Sequence, residues 1–278
     1  MSRGYEVTGV DTQRPLREGD THILHYKSLK TFLGFSTSRY DLVVHCAYEV
    51  GGRTHIDGKN LALAHNLEMD ALLFDWAVRT EQKAVLYFSS CAAYPALIQD
   101  DPRWGPASEQ NGPGQPFDNY GWAKQTGERL GISASQLGLR VHTVRPFSGY
   151  GRDQSLDYPF PSIVRRAREG DLSVWGPPGQ FRDWIHISDV VAGSLAVYEA
   201  DYRSPVNLCT GRATEFGEFA RMAWELSHAT ADKIPDVVYE PDKPTGSLYR
   251  VGDPTLMNSM YTAKVSLEEG ICEALKEA

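Results

Sequence analysis

Two apolar runs in this chain are continuous rather than alternating. "DLVVHC" (41–46) and "AVLYF" (84–88) hold hardly a polar residue between them. A strand wet on one face alternates apolar and polar side chains. A continuous run belongs to a strand covered on both faces. Between the two runs, residues 59–80 place Leu61, Ala64, Leu67, Ala71, Leu72 and Trp76 at helical spacing. A helix from about Asn119 to Leu137 and a strand "LRVHTVRP" continue the alternation. Buried strands separated by helices specify a parallel sheet with helices on both faces.

The start fits the same pattern but lacks its first part. "MSRG" reads as a helix tail with Gly4 at its C-terminal cap. A strand Tyr5–Val10 follows and ends on Asp11, and "THILHY" is the next strand. In a doubly wound nucleotide-binding sheet a strand, a glycine-rich turn and a helix come before such a handover. No GxxGxxG occurs, and "EVGGR" follows a different strand with the wrong spacing. The expected fold is α/β: a Rossmann-like doubly wound parallel sheet missing its first strand and helix. That strand is central, so its loss leaves two edges of unpaired N–H and C=O groups. Each such group costs about 1–3 kcal/mol when buried. The sheet closes up, a partner strand fills the gap, or the sequence starts inside a longer one.

After residue 150 the order changes. "DYPFPSIVRRAREG" reads as a helix, "LSVWG" as a short strand and "QFRDWIHI" as one strand. "SDVVAGSLAVYEA" reads as a helix with Ser188 as N-cap. "VNLCTG", the helix "FGEFARMAWELSHA" and an amphipathic last helix "KVSLEEGICEALKE" complete the chain. Residues 1–150 are therefore expected to form a truncated dinucleotide-binding domain. Residues 151–278 are expected to be mainly a smaller, mixed substrate-binding lobe.

Composition narrows the partners. The net charge of −8 argues against nucleic acid or an anionic membrane. Cys46, Cys91, Cys209 and Cys272 are scattered without CxxC spacing, which suits reduced thiols in the cytoplasm and no metal site. No apolar stretch reaches membrane-spanning length.

Four stretches carry chemistry: "YFSSCAAYP", "YGWAK", "VRPFSGYG" and "QFRDWIHISD". Tyr120 and Lys124 stand at i and i+4, on one face of a helix. A lysine ammonium beside a phenol favours the phenolate and lowers its pKa. Such a tyrosine can exchange a proton with a sugar hydroxyl or carbonyl. A hydroxyl from Ser89 or Ser90, at a strand's C-terminal end, can bond the same oxygen. Open α/β sheets carry their active sites at that edge. His186 is expected to be a packed histidine, and His45 to line the cofactor side.

These stretches together resemble the extended short-chain dehydrogenase/reductase family of nucleotide-sugar epimerases, reductases and dehydratases. The nearest likeness is to the GDP-L-fucose synthases and GDP-mannose 3,5-epimerases. "CAYEVGG" is similar to their alanine pair and Gly-Gly loop, and "SSCAAYP" to their Ser-Ser strand end. The resemblance implies NAD as cofactor and a nucleotide-diphosphate sugar as substrate. It implies Tyr120 as acid/base, Lys124 as its partner and Ser90 as the hydroxyl. Asp11, Ala47, Tyr120 and Lys124 are implied at the cofactor. Val50, Gly51, Gly52, Ser148, Arg182 and Arg250 are implied at the substrate, with Arg182 on its diphosphate. A homodimer through the helices at 59–80 and 119–137 is implied too.

The chain also departs from that pattern. The family's acid/base cysteine falls on Ala92 when counted from Tyr94, and on Cys91 when counted from Ser89. The count from Tyr94 aligns Ser90 with the family hydroxyl and leaves Cys91 to packing. Cys91 remains a catalytic candidate on the other count. Asp157 and Tyr158 stand where the accompanying histidine or lysine would be, and Ser148 replaces an asparagine. Two functions follow. One is NAD-dependent epimerisation, with or without reduction. The other is a non-catalytic relative that keeps the sugar-nucleotide pocket and has lost the NAD site.

Overall fold

In chain order the strands are β1 (Gly9–Asp11), β2 (Ile23–His25), β3 (Val43–His45), β4 (Ala84–Phe88) and β5 (Arg140–Pro146), with β6 (Ser148–Tyr150), β7 (Ser173–Trp175), β8 (Phe181–Arg182), β9 (Trp184–His186), β10 (Val206–Leu208), β11 (Thr214–Glu215), β12 (Val238–Glu240) and β13 (Tyr249–Arg250) after them. The helices are α1 (Leu29–Phe35), α2 (Ala62–Arg79), α3 (Ala96–Asp100), α4 (Asn119–Gln136), α5 (Pro159–Arg168), α6 (Ile187–Glu199), α7 (Phe216–Ser227), α8 (Thr255–Asn258) and α9 (Leu267–Glu277). This computed structural model describes residues 4–13, 23–26, 28–51, 61–230 and 233–277.

The main sheet is parallel, in the order β10-β5-β4-β3. Its strands are covered on both faces. On β4, Val85 and Tyr87 enter one core with Leu73, Phe74, Trp76 and Val141. Leu86, between them, enters the opposite core with Val144, Ile185, Val190 and Val206. Successive strand side chains point to opposite faces, so both faces must be apolar, and the continuous run on β4 follows.

The sheet comes in two pieces. β1 and β2 pair in parallel with each other, Val10 opposite Leu24. Among the described residues no ladder joins either of them to β3. Gly4 has φ +79°, the left-handed conformation of a helix cap. Residues 1–3, expected as the helix tail, lie outside the described residues.

Several expectations need correction. Residues 5–8 are not strand; only Gly9–Asp11 are. "QFRDWIHI" is not one strand. It breaks at Asp183 into β8 and β9, which belong to different sheets. The Asp183 carboxylate accepts from Thr210 N and Oγ1, at 2.8 and 2.6 Å, and from Gly211 N at 2.8 Å. That demand turns the chain. Helix α6 starts at Ile187 with His186, not Ser188, as its cap. The short helix α1 is an element the apolar pattern did not announce. The two parts also interleave, since β10 returns to the main sheet beside β5. β9, α6 and α8 also pack on the main sheet through Ile185, Val190, Val197 and Met257, while much of the later chain forms a separate core around Phe160, Trp184, Phe219 and Ile271.

Candidate active site

The site begins where β4 ends. Ser90 starts a single 3₁₀ turn, Cys91–Ala93, and its hydroxyl accepts from Ala92 N at 3.1 Å. Helix α4 starts opposite, capped by Asp118, whose Oδ1 accepts from Gly121 N at 2.9 Å. A β-carbon on Gly121 would collide with the Ala92 carbonyl oxygen. The glycine of "YGWAK" therefore lets the helix start sit directly on the turn, and this brings Tyr120 to Ser90. The Ser90 hydroxyl lowers the Tyr120 pKa, but burial is the larger effect and holds it well above its ordinary value. Tyr120 is thus a neutral acid at neutral pH.

Lys124 lies on the Tyr120 face of α4, but its nearest partners are on other elements. Its Nζ donates to Phe88 O at 2.7 Å and lies 3.2 Å from the centroid of the Tyr48 ring. It stands 5.8 Å from the Tyr120 ring centroid. Burial brings the Lys124 pKa down to about 7, against the pull of Asp70. Of the two serines, Ser89 is engaged elsewhere. It donates to Glu128, which also takes a bidentate pair from Arg145 at 2.8 and 2.7 Å.

Two arginines form the other half. Arg182 and Arg250 are direct partners across the parallel pair β8–β13. Like charges directly opposite each other destabilise a sheet. Arg182 is 8% exposed, donates to Phe181 O at 2.8 Å and lies over the Phe216 ring. Burial first, and Arg250 second, bring its pKa down to about 9. Arg250 donates from Nε to Gln99 Oε1 at 2.8 Å, and its Nη2 is buried without a partner. Adjacent guanidiniums held this way form a receptor for an anion. Arg250 also acts on Tyr120, so receptor and acid belong to one site.

Cys91 is 5% exposed and packs with Tyr94, Ile98, Phe147 and Cys209. Burial raises its pKa, with Arg250 and Arg182 opposing. Ser148 is half-buried at the start of β6, where its N–H donates to Asp183 O. Val50 is exposed and Gly51 half-buried, while Gly52 lies outside the described residues. Ala47 opens the loop after β3. His45, expected toward the cofactor, is instead buried with Nε2 2.9 Å from Asp70.

For NAD, the donor set fits the two ribose ends. Asp11 is exposed at the carboxyl end of β1, with Oδ1 accepting from Gln13 N. Ala47, Tyr120 and Lys124 stand past the carboxyl ends of β3 and β4. No described residue supplies a glycine-rich phosphate turn.

Tyr158, which the sequence sets at the place of the family's histidine or lysine, acts on Tyr120 from the start of α5. Sequence reasoning missed three contributors. Gln99 aims Arg250, while its Nε2 donates to Tyr94 O. Asn66 holds the 47–51 loop through Glu49 N and O. Tyr48 covers Lys124. Tyr48 alone left a signal, as a bulky residue in the place of the family's second alanine.

Comparison with known proteins shows the family and the fold. A model of the NAD dependent epimerase/dehydratase family matches residues 1–209. dTDP-4-dehydro-6-deoxy-D-allose reductase of Streptomyces bikiniensis is 25% identical over 272 residues, which cover 92% of this chain and 78% of that protein. GDP-L-fucose synthase of Escherichia coli (strain K12) is 25% identical over 292 residues, with 94% and 87% covered. Among solved structures, MoeE5 in complex with UDP-glucuronic acid and NAD superposes with a TM-score of 0.80 at 25% identity, covering 99% of this chain and 92% of that one. UDP-glucose 4-epimerase of Thermotoga maritima, solved with UDP-glucose, gives 0.81 at 21% identity, with 99% and 91% covered, and shares the fold.

Proposed function

The chain belongs to the NAD-dependent epimerase/dehydratase family, and we propose that it epimerises a nucleotide-diphosphate sugar. One observation carries this reading. A neutral phenol, Tyr120, shares a half-buried site with the Arg182–Arg250 couple, whose Arg250 Nη2 has no partner. The couple matches a diphosphate, whose two negative groups would offset two adjacent guanidiniums. Tyr120 then faces the attached sugar. MoeE5 and the Thermotoga enzyme were both solved with UDP-sugars, which fits that substrate class.

Asp11 and Ala47 would hold NAD together with Tyr120 and Lys124. When bound, NAD supplies a hydride acceptor and donor. The chain's own residues handle the proton. Tyr120 exchanges it with a sugar oxygen, and Ser90 supports the phenolic oxygen while charge develops there. Lys124 contributes positive charge on the same helix face. Arg182 and Arg250 fix the diphosphate and so the sugar's approach.

A second reading is a sugar-nucleotide binder without turnover. Tyr48 over Lys124, and the lack of a described phosphate turn, favour it. We further propose a homodimer through the outer faces of α2 and α4, where Leu61, Trp122 and Ile132 are exposed. No helix among the described residues is long and apolar enough to cross a membrane.

The test is incubation of the full chain with NAD and a panel of UDP-, GDP- and dTDP-sugars in deuterated buffer, read by NMR. A new sugar epimer that vanishes in Tyr120→Phe supports the enzyme. Binding of a nucleotide sugar with no turnover on any member sinks it and leaves the binder.

A further inference from the structure

Beneath Lys124 lies a carboxylate that no role described so far uses. Asp70, on α2, is fully buried. Its Oδ1 meets His45 Nε2 at 2.9 Å. Its Oδ2 accepts from Tyr87 at 2.9 Å and from Tyr48 at 3.3 Å. The two phenols bring no charge of their own to the carboxylate. Gly127, one turn beyond Lys124 on α4, has no β-carbon to separate the helices. A methyl group there would collide with the Tyr87 hydroxyl and the Asp70 carboxylate.

A buried carboxylate with neutral partners is costly unless a cation stands close. The cation at hand is Lys124. Its surroundings leave one anion to balance it. From its own helix come Glu128 and Tyr120, and Glu128 is already paired with Arg145. From the loop after β3 come Cys46, an exposed thiol that stays mostly protonated at neutral pH, and Tyr48, which burial keeps neutral. From β4 comes Tyr87, also neutral. Asp70 alone remains. It also bonds the hydroxyl of Tyr48, the ring that lies across the Lys124 ammonium.

We propose that Asp70 is a positioning residue for Lys124: it fixes Tyr48 across the ammonium and keeps the lysine charged beside Tyr120. Its catalytic meaning rests on the epimerase reading, but the coupling between the two side chains does not.

The experiment uses the full chain without cofactor or substrate. Lysine labelled with ¹³C at Cε reports each ammonium by NMR between pH 5 and 10, and Lys124→Arg assigns the signal. In the wild type Lys124 titrates near 7. Asp70→Asn lowers that midpoint by at least about one pH unit, the usual effect of losing a close opposite charge. Asp70→Glu restores most of it. A folded Asp70→Asn protein whose Lys124 midpoint stays within about 0.3 of the wild type overturns the proposal, because one near opposite charge moves a titration by far more than that. It would leave Asp70 a structural bond to His45 and Tyr87. Should Asp70→Asn fail to fold, Asp70→Ser asks the same question with a smaller neutral side chain. A Lys124 midpoint that stays within about 0.3 of the wild type there overturns the proposal too. Neither readout involves turnover, so an inactive protein with intact coupling refutes the epimerase reading alone.

Discussion

Arg182→Met should make the empty protein slightly more stable while removing most of its response to a diphosphate. Methionine keeps the buried stem of the arginine and removes the guanidinium. That group is brought from its ordinary value down to about 9 by burial and by Arg250. A fall of roughly three to four pH units corresponds to about 4–5 kcal/mol. The sign follows from proton binding. Between about 9 and the ordinary arginine value the unfolded chain holds the proton and the folded chain has lost it, so stability rises with pH across that window. Below pH 9 the penalty is fully present, and at neutral pH the wild type carries all of it. Against it stand a charged hydrogen bond to Phe181 O, worth about 1.5–3 kcal/mol, and the desolvated contact over Phe216, worth about 2 kcal/mol. The net gain from the substitution is at most about 1 kcal/mol. For a chain of this size that raises the melting temperature by up to roughly 4 °C.

The same loss should appear with the opposite sign when an anion is present. Thermal melts with UDP, GDP and dTDP identify the best binder for the wild type. At a hundred times its Kd that ligand adds about 2.7 kcal/mol, or roughly 5–10 °C. Arg182→Met should gain less than a third of this at the same concentration. The two melting curves then cross: the variant is the more stable when empty and the less stable when loaded. A variant less stable than the wild type in plain buffer would refute the view that the arginine couple is uncompensated. An undiminished response to the diphosphate would refute the receptor.

The other expectations are simpler to state. Tyr120→Phe should lower turnover by about 10²–10⁴-fold, a typical loss for a general acid or base, and leave nucleotide-sugar affinity within about threefold in calorimetry, since a uniform binding role is not what it loses. Gly127→Ala drives a methyl group into Tyr87 and Asp70 where α2 and α4 cross; urea unfolding should show a loss of about 1–3 kcal/mol or more. Glu128→Gln leaves Arg145 buried without its carboxylate and should cost about 3–5 kcal/mol in the same assay, whereas a surface pair such as Arg79–Asp75 should cost less than about 1 kcal/mol. Ile132→Glu on the outer face of α4 should shift the mass seen by light scattering from dimer to monomer, with secondary structure unchanged by circular dichroism.

What the sequence disclosed, and what it hid, divides by range. Tyr120, Lys124 and Ser90 were legible because each rests on short spacing: four residues along a helix, or the end of one apolar run. The continuous runs of β3 and β4 disclosed the parallel sheet for the same reason. The arginine couple was only half legible. Arg182 and Arg250 could be found singly, but their adjacency depends on the register of β8 against β13, which no local pattern encodes. The break at Asp183 was hidden likewise, because its partners Thr210, Gly211 and Gly252 lie far along the chain. Asp70 was the least visible. On a helical wheel it counts as one polar residue among apolar ones, and only the packing of four elements shows that it faces inward. The spacing rule told only part of the place of Lys124. It put the ammonium on the Tyr120 face, where it stands 5.8 Å from that ring, but a side chain of that length follows the best acceptor within reach. The Phe88 carbonyl and the face of Tyr48 hold it, and both are anchored by strands that a helical wheel does not contain.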